Sequence, residues 1–83
     1  MGFRAYLLIT VNDDTQPTKF SKILQKIDKL KETDYVDPVN GAIDIIVMIE
    51  VPVTIKPVMK KIQRIDGVAK VQSCKILGVH KEW

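Results

Sequence analysis

Nucleophilic catalysis needs a base within hydrogen-bond reach of a thiol or hydroxyl, and this chain has few candidates. Cys74 is its one cysteine and His80 its one histidine. Cys74 alternates with Ser73 on an expected edge strand, where a small packed thiol is the expectation. His80 sits near the C-terminus, away from Cys74, and reads as a surface histidine. A lone cysteine forms neither an intramolecular disulfide nor a cysteine zinc site, and one histidine does not suffice for an all-protein transition-metal site. Among the carboxylates, Asp13-Asp14 belong to a turn, and Asp28 and Asp66 to helix ends. No P-loop or GxGxxG segment occurs. No metal and no cofactor is expected.

Asp44 is the exception. It interrupts the most apolar strand of the chain, three residues after Asn40-Gly41. A carboxylate there must reach solvent at the strand end or accept hydrogen bonds. A functional reading is that Asp44 and the turn backbone hold a small ligand carrying an ammonium group. Ser73 comes close to the same edge of the sheet only if subunits assemble.

These residues need elements to position them. Residues 3–11 alternate as a strand, with Phe3, Ala5, Leu7, Ile9 and Val11 on one face and Arg4, Tyr6, Leu8 and Thr10 on the other. Asn12-Asp13-Asp14-Thr15 supplies turn and N-cap chemistry, and Pro17 suits a first helical turn. Phe20, Ile23, Leu24, Ile27 and Leu30 then fall on one helical stripe. Residues 32–39 read as a weaker strand, Asn40-Gly41 as a hairpin turn, and residues 42–51 as the most apolar strand. Pro52 ends it. Thr54 caps a second helix with Pro57 in its first turn. Its stripe of Ile55, Val58, Met59, Ile62 and Ile65 repeats the first helix's pattern 35 positions later. Asp66-Gly67 closes that helix, and residues 68–78 form the last strand.

The order is βαββαβ, an α+β, ferredoxin-like sandwich. Right-handed crossovers put both helices on one face of a four-stranded antiparallel sheet. Their stripes are expected to pack on Ile43, Ile45, Val47, Ile49 and Val51 and on the Phe3-to-Val11 row. The opposite face then carries Tyr6, Leu8, Ile46 and Met48 at its centre, with Arg4, Thr10, Asp44 and Glu50 around them. An apolar centre inside a polar rim is the pattern of a protein–protein interface, so a homodimer through this face is expected. Only Tyr6 offers a stacking aromatic, which disfavours RNA recognition by the sheet.

Composition agrees. Eighty-three residues make one domain, and a domain this small gains from oligomerisation. No segment approaches the ~20 apolar residues of a membrane span, so the chain is expected to be soluble and cytoplasmic. The net charge of +3 is uneven, with lysines concentrated at residues 15–31 and 54–67. With no interleaved aromatics, these read as the solvated outer faces of two amphipathic helices.

Val39-Asn40-Gly41-Ala42-Ile43-Asp44-Ile45-Ile46-Val47 resembles the glycine-x-tyrosine-aspartate segment and following strand of the Lrp/AsnC effector domain, or RAM domain. Ile62-Gln63-Arg64-Ile65-Asp66-Gly67-Val68 resembles its second-helix exit, and Val71-Gln72-Ser73-Cys74-Lys75-Ile76-Leu77 its last strand. The strand Ala5-Tyr6-Leu7-Leu8-Ile9 also fits, so the resemblance covers about residues 3–78. It implies a non-enzymatic amino-acid-binding module whose dimers assemble further, into an octamer- or decamer-like ring, with an amino acid effector between neighbouring dimers. Carried over by position, effector binding falls to Asn40, Gly41, Ala42, Ile43, Asp44 and Ser73. Ala42 and Ile43 depart from the family's commoner polar and aromatic residues, and Ser73 stands where threonine is usual. Full-length members carry an N-terminal helix-turn-helix. Here the first strand begins at residue 3, so the expectation is one stand-alone domain over residues 1–83, without a helix-turn-helix and with no direct, sequence-specific DNA binding. It would sense amino acids itself or co-assemble with a full-length regulator. The alternatives are a small dimeric α/β-barrel enzyme using Tyr6, Asp44 or Glu50, and a structural partner domain without ligand. An ACT-type sensor fits the Gly41-to-Asp44 segment less well.

Overall fold

The computed structural model describes residues 3–75. Their elements run β1 (Phe3–Val11), α1 (Pro17–Asp28), β2 (Thr33–Pro38), β3 (Ile45–Val51), α2 (Lys56–Gln63) and β4 (Val68–Lys75). The four strands form one antiparallel sheet in the order β2-β3-β1-β4. This is the ferredoxin-like α+β arrangement that the sequence implies. The expected extension of the last strand to residue 78, and His80, lie outside the described residues.

The core lies between the sheet and the helices. Ala5, Leu7, Ile9 and Val11 of β1 and Ile45, Val47, Ile49 and Val51 of β3 are buried against Ile23 and Ile27 of α1 and Val58 and Ile62 of α2. Each fully buried Leu, Ile or Val is worth about 1.5–3 kcal/mol. Phe20, Leu24 and Leu30 line the rim of this core, as do Ile55, Met59 and Ile65. The two helical stripes therefore match in depth as well as in sequence, with buried residues at the same two stripe positions of each.

The helix exits correspond too. The Leu30 N–H donates to the Ile27 carbonyl and the Thr33 N–H to that of Leu30. Ile65 with Ile62, and Val68 with Ile65, repeat the pattern. Each helix also sends a lysine to the other's exit turn, Lys19 to Asp66 at 2.8 Å and Lys61 to Glu32 at 3.0 Å. Both lysines hold their carboxyl partners below the ordinary range. Glu32 is the more enclosed of the two acids, and its Oε1 is buried without a partner among the described residues. A lowered folded-state pKa gives stability that is present above the ordinary value of 4.5 and lost as pH falls through the lowered one. Lys61→Met is thus expected to cost about 0.5–1 kcal/mol at neutral pH. It should also flatten the fall in stability in urea unfolding series run from neutral pH into acid. An unchanged acid slope would show that the pair carries none of it.

Several local expectations are corrected. β3 begins at Ile45, not residue 42, and residues 41–44 are bends. Ile43 accordingly sits half-buried ahead of the strand and outside the core cluster. Gly67 is the only glycine with positive φ among the described residues, so Asn40-Gly41 does not form the two-residue type I′ turn, which needs φ > 0 at both positions. α1 is capped at Gln16 without a side-chain bond, so the Asn12–Thr15 segment serves as a turn closed by Thr15 N–H to the Asn12 carbonyl at 3.0 Å. The α2 cap position is Ile55, one residue after Thr54, whose Oγ1 accepts from the Lys56 N–H at 3.4 Å. α2 ends at Gln63, and Gly67 (φ +103°) turns the chain into β4 four residues later instead of closing the helix directly.

Candidate functional site

β3 ends its pairing with β1 at Ile45, which stands opposite Ile9. Beyond that point β1 continues to Val11 with no strand on that side to receive its N–H groups. The chain solves this with Asp44. Its backbone N–H donates to the Ile9 carbonyl at 2.9 Å, and its Oδ2 accepts the Val11 N–H at 2.9 Å. The carboxylate thereby takes the place of a ladder carbonyl. Of the two outcomes open to a carboxylate at this point, hydrogen bonding is the one realised, and Asp44 is half-buried as a result.

That bond uses one oxygen. Oδ1 has no hydrogen-bond partner among the described residues, and the Asp44 side chain lines a cavity of about 450 Å³ between the start of β3 and the β1–α1 connection. Its other walls are Val11, Asn12, Asp13, Thr15, Pro17 and Phe20. Two acidic residues, an asparagine and a threonine thus border an open depression together with the apolar Val11, Pro17 and Phe20. Such a lining suits a small cation with an apolar portion. Asn12 and Asp13 were read from sequence only as turn residues; a turn that follows a strand end occupied by a carboxylate was the signal available.

The remaining members of the candidate set are placed as follows. Residues 39–44 form one loop, closed by the Val39 N–H to the Asp44 carbonyl at 2.9 Å. Asn40, Gly41 and Ala42 are exposed in it, and Ile43 is half-buried. Ser73 stands opposite Leu7 on β4, whereas Asp44 adjoins Ile9 on the β3 side of β1. β1 lies between them, so a single chain does not bring them together.

On the face away from the helices, pairing sets two rows across the sheet. Tyr35, Met48, Tyr6 and Cys74 form one, and Asp37, Ile46, Leu8 and Gln72 the next. Tyr6, Leu8 and Ile46 are half-buried, but Met48 is only 5% exposed even in one chain. Tyr35 was missed from sequence. A register shift between Thr33 and Tyr35 breaks the alternation of β2 and brings Tyr35 opposite Met48. The neighbouring Tyr6 hydroxyl raises the Tyr35 pKa. Cys74 is exposed on this face, not packed as expected. Arg4 closes the rim with Asp34 at 3.8 Å.

Tyr6, Asp44 and Glu50, the residues an enzymatic reading would use, do not converge. Asp44, just ahead of β3, and Glu50, near its far end, are about 20 Å apart along the strand direction, and Tyr6 stands opposite Met48 between them. No group of three or more His, Cys, Asp and Glu arranged to hold a metal occurs among the described residues. No helix there is long and apolar enough to cross a membrane.

The fold is that of a small βαββαβ domain found both alone and within regulators. PH0061 is similar over 96% of this chain and 55% of its own, with 25% identity and a TM-score of 0.73. An AsnC family transcriptional regulator from Agrobacterium tumefaciens matches over 96% of this chain and 53% of its own, at 13% identity and a TM-score of 0.81. TTHA0845 from Thermus thermophilus matches over 96% and 99%, at 16% identity and a TM-score of 0.77. The chain thus spans about half of the first two and nearly all of the third. The resemblance to an Lrp/AsnC effector domain read from the sequence holds at the level of fold. No protein-family model and no curated protein matches the chain.

Proposed function

We propose that this chain is a non-enzymatic effector-binding and oligomerisation module of the Lrp/AsnC type. Its dimer forms through Tyr6, Leu8, Ile46 and Met48, and dimers assemble further into a ring. A free amino acid is the effector, held by the loop Asn40–Asp44 of one dimer together with Ser73 of a neighbour. It acts in the cytoplasm on transcription or metabolism, through ligand-dependent assembly or by joining a full-length regulator.

The observation that carries this reading is the half-used carboxylate of Asp44. One oxygen is committed to the Val11 N–H, and the side chain borders a cavity that Asp13 makes still more favourable for an ammonium group. The test is a panel of amino acids followed by thermal unfolding and light scattering. At least one is expected to raise Tm or shift the mass distribution. A monomer that responds to none of them overturns the reading.

Two Asp44 variants separate its structural and binding contributions. Asp44→Asn keeps an oxygen able to accept from Val11 while removing the charge, so stability should hold within about 1 kcal/mol as the amino-acid response disappears. Asp44→Ala leaves the Val11 N–H without its acceptor and should cost about 1–3 kcal/mol in denaturant unfolding. Equal stability of the two variants would remove the strand-end role.

A further inference from the structure

The outward surface of the helix layer is a second feature, independent of the effector reading. Residues 17–32 and 56–66 hold nine lysines and arginines against Asp28, Glu32 and Asp66, a net +6. The whole chain is +3, so everything else sums to −3. The fold places α1 and α2 on the same side of the sheet and joins them through Lys19–Asp66 and Lys61–Glu32. Those two pairs account for two of the three acids. Lys22 and Lys26 on α1 with Lys29 at its C-cap, and Lys56 and Lys60 on α2 with Arg64 at its C-cap, are exposed, with no ion pair among the described residues. Lys19, Lys22 and Lys26 also line a groove of about 320 Å³ with Thr18, Ile23 and Asp66.

The chemistry of this face selects its partner. The large hydrophobic residues exposed among the described ones are Tyr35 and Val53, and neither lies on a helix. A protein partner buries an apolar centre, and a membrane-surface helix inserts apolar side chains below its basic ones. This layer offers neither. It also has no exposed aromatic on which an unpaired base could stack. What remains is charge at helical spacing, with Lys19 to Lys29 spanning about 15 Å, which suits a rigid line of phosphates.

We propose that the helix layer binds the phosphate backbone of a nucleic-acid duplex, without sequence preference. The expectation of no direct, sequence-specific DNA binding concerned a helix-turn-helix reading base edges; contact here is with backbone alone. Affinity per chain is expected in the non-specific range, a Kd of about 10⁻⁴–10⁻⁶ M at physiological salt, and a ring would multiply it.

The test is anisotropy titration of labelled 20-base-pair duplexes of unrelated sequence between 50 and 200 mM salt. If about six phosphates are engaged, affinity should fall about 10³-fold over that range. Lys22→Gln, Lys26→Gln and Lys60→Gln combined should lower the slope of log affinity against log salt by about three. These side chains are exposed, so thermal unfolding of the triple variant should match the parent and exclude misfolding. A triple variant that binds like the parent overturns the proposal. So does the absence of binding at 50 mM salt, or tighter binding to vesicles rich in phosphatidylserine than to duplex. Because no effector is added, loss of the amino-acid response leaves this result unaffected.

Discussion

Gly67→Ala is expected to destabilise the domain by about 2–5 kcal/mol and to lower Tm by at least ~10 °C. Two separate costs meet at this position. Its φ of +103° is strained for any residue with a Cβ. The added carbon would also fall 2.8 Å from Ile23 Cδ1 and 3.2 Å from Lys19 Cε. Lys19 is a flexible surface side chain and can move, but Ile23 is 1% exposed in the packed core. Total stability for a chain of this length is about 4–12 kcal/mol, so the substitution removes a large fraction of it. A double-mutant cycle divides the two costs. Ile23→Val deletes the Cδ1 atom, so Gly67→Ala should cost less in that background, and what remains is the backbone term. A Tm within about 2 °C of the parent for the single variant would contradict both terms.

Ile46→Asp is expected to turn the proposed dimer into a monomer. Ile46 pairs with Leu8 at the centre of the open face, between the row of Tyr6 and Met48 and the polar rim. At a two-fold interface every substitution acts twice. Losing about 1.5–3 kcal/mol of burial per copy amounts to about 3–6 kcal/mol, or a Kd raised by roughly 10²–10⁴-fold. Ile46 is only half-buried within one chain, so the monomer should keep its circular dichroism spectrum. The measurement is mass by light scattering over a dilution series. If the variant keeps the parent's mass throughout, the interface lies elsewhere. Thr10→Asp, at the rim, should change the mass much less.

The stripes, the strand faces and the element order were legible in the sequence because each follows a local period. The two helical stripes match the observed burial residue for residue. What escaped depends on contacts between distant residues. The bond from Val11 to Asp44 crosses 33 positions, and no local pattern tells a carboxylate at a strand end that it will replace a carbonyl. The loop at residues 39–44 looked like a two-residue turn because Asn-Gly is a strong local signal, yet the demands of pairing with β1 as well as β2 widened it. Tyr35 was hidden by the break in alternation between Thr33 and Tyr35, since a bulge changes which face a residue meets. Of the site, the Asp44 loop was readable and the Asn12–Asp13 wall was not, because it belongs to a connection that only the folded sheet brings alongside.

The strand order has a consequence for how the chain is made. β1 is a central strand, yet both of its neighbours, β3 and β4, come from the second half of the sequence. Its pairs with β3 join residues from Ile9 and Ile45 to Phe3 and Val51, separations of 36 to 48 positions. At about 5–20 residues per second, a nascent chain carries Ala5, Leu7, Ile9 and Val11 without a sheet partner for several seconds after β1 has emerged. During that interval α1 alone is available to shield them. Vulnerability to aggregation is thus set by the arrival time of β3, and a slow codon run before residue 45 would lengthen it without altering the finished protein.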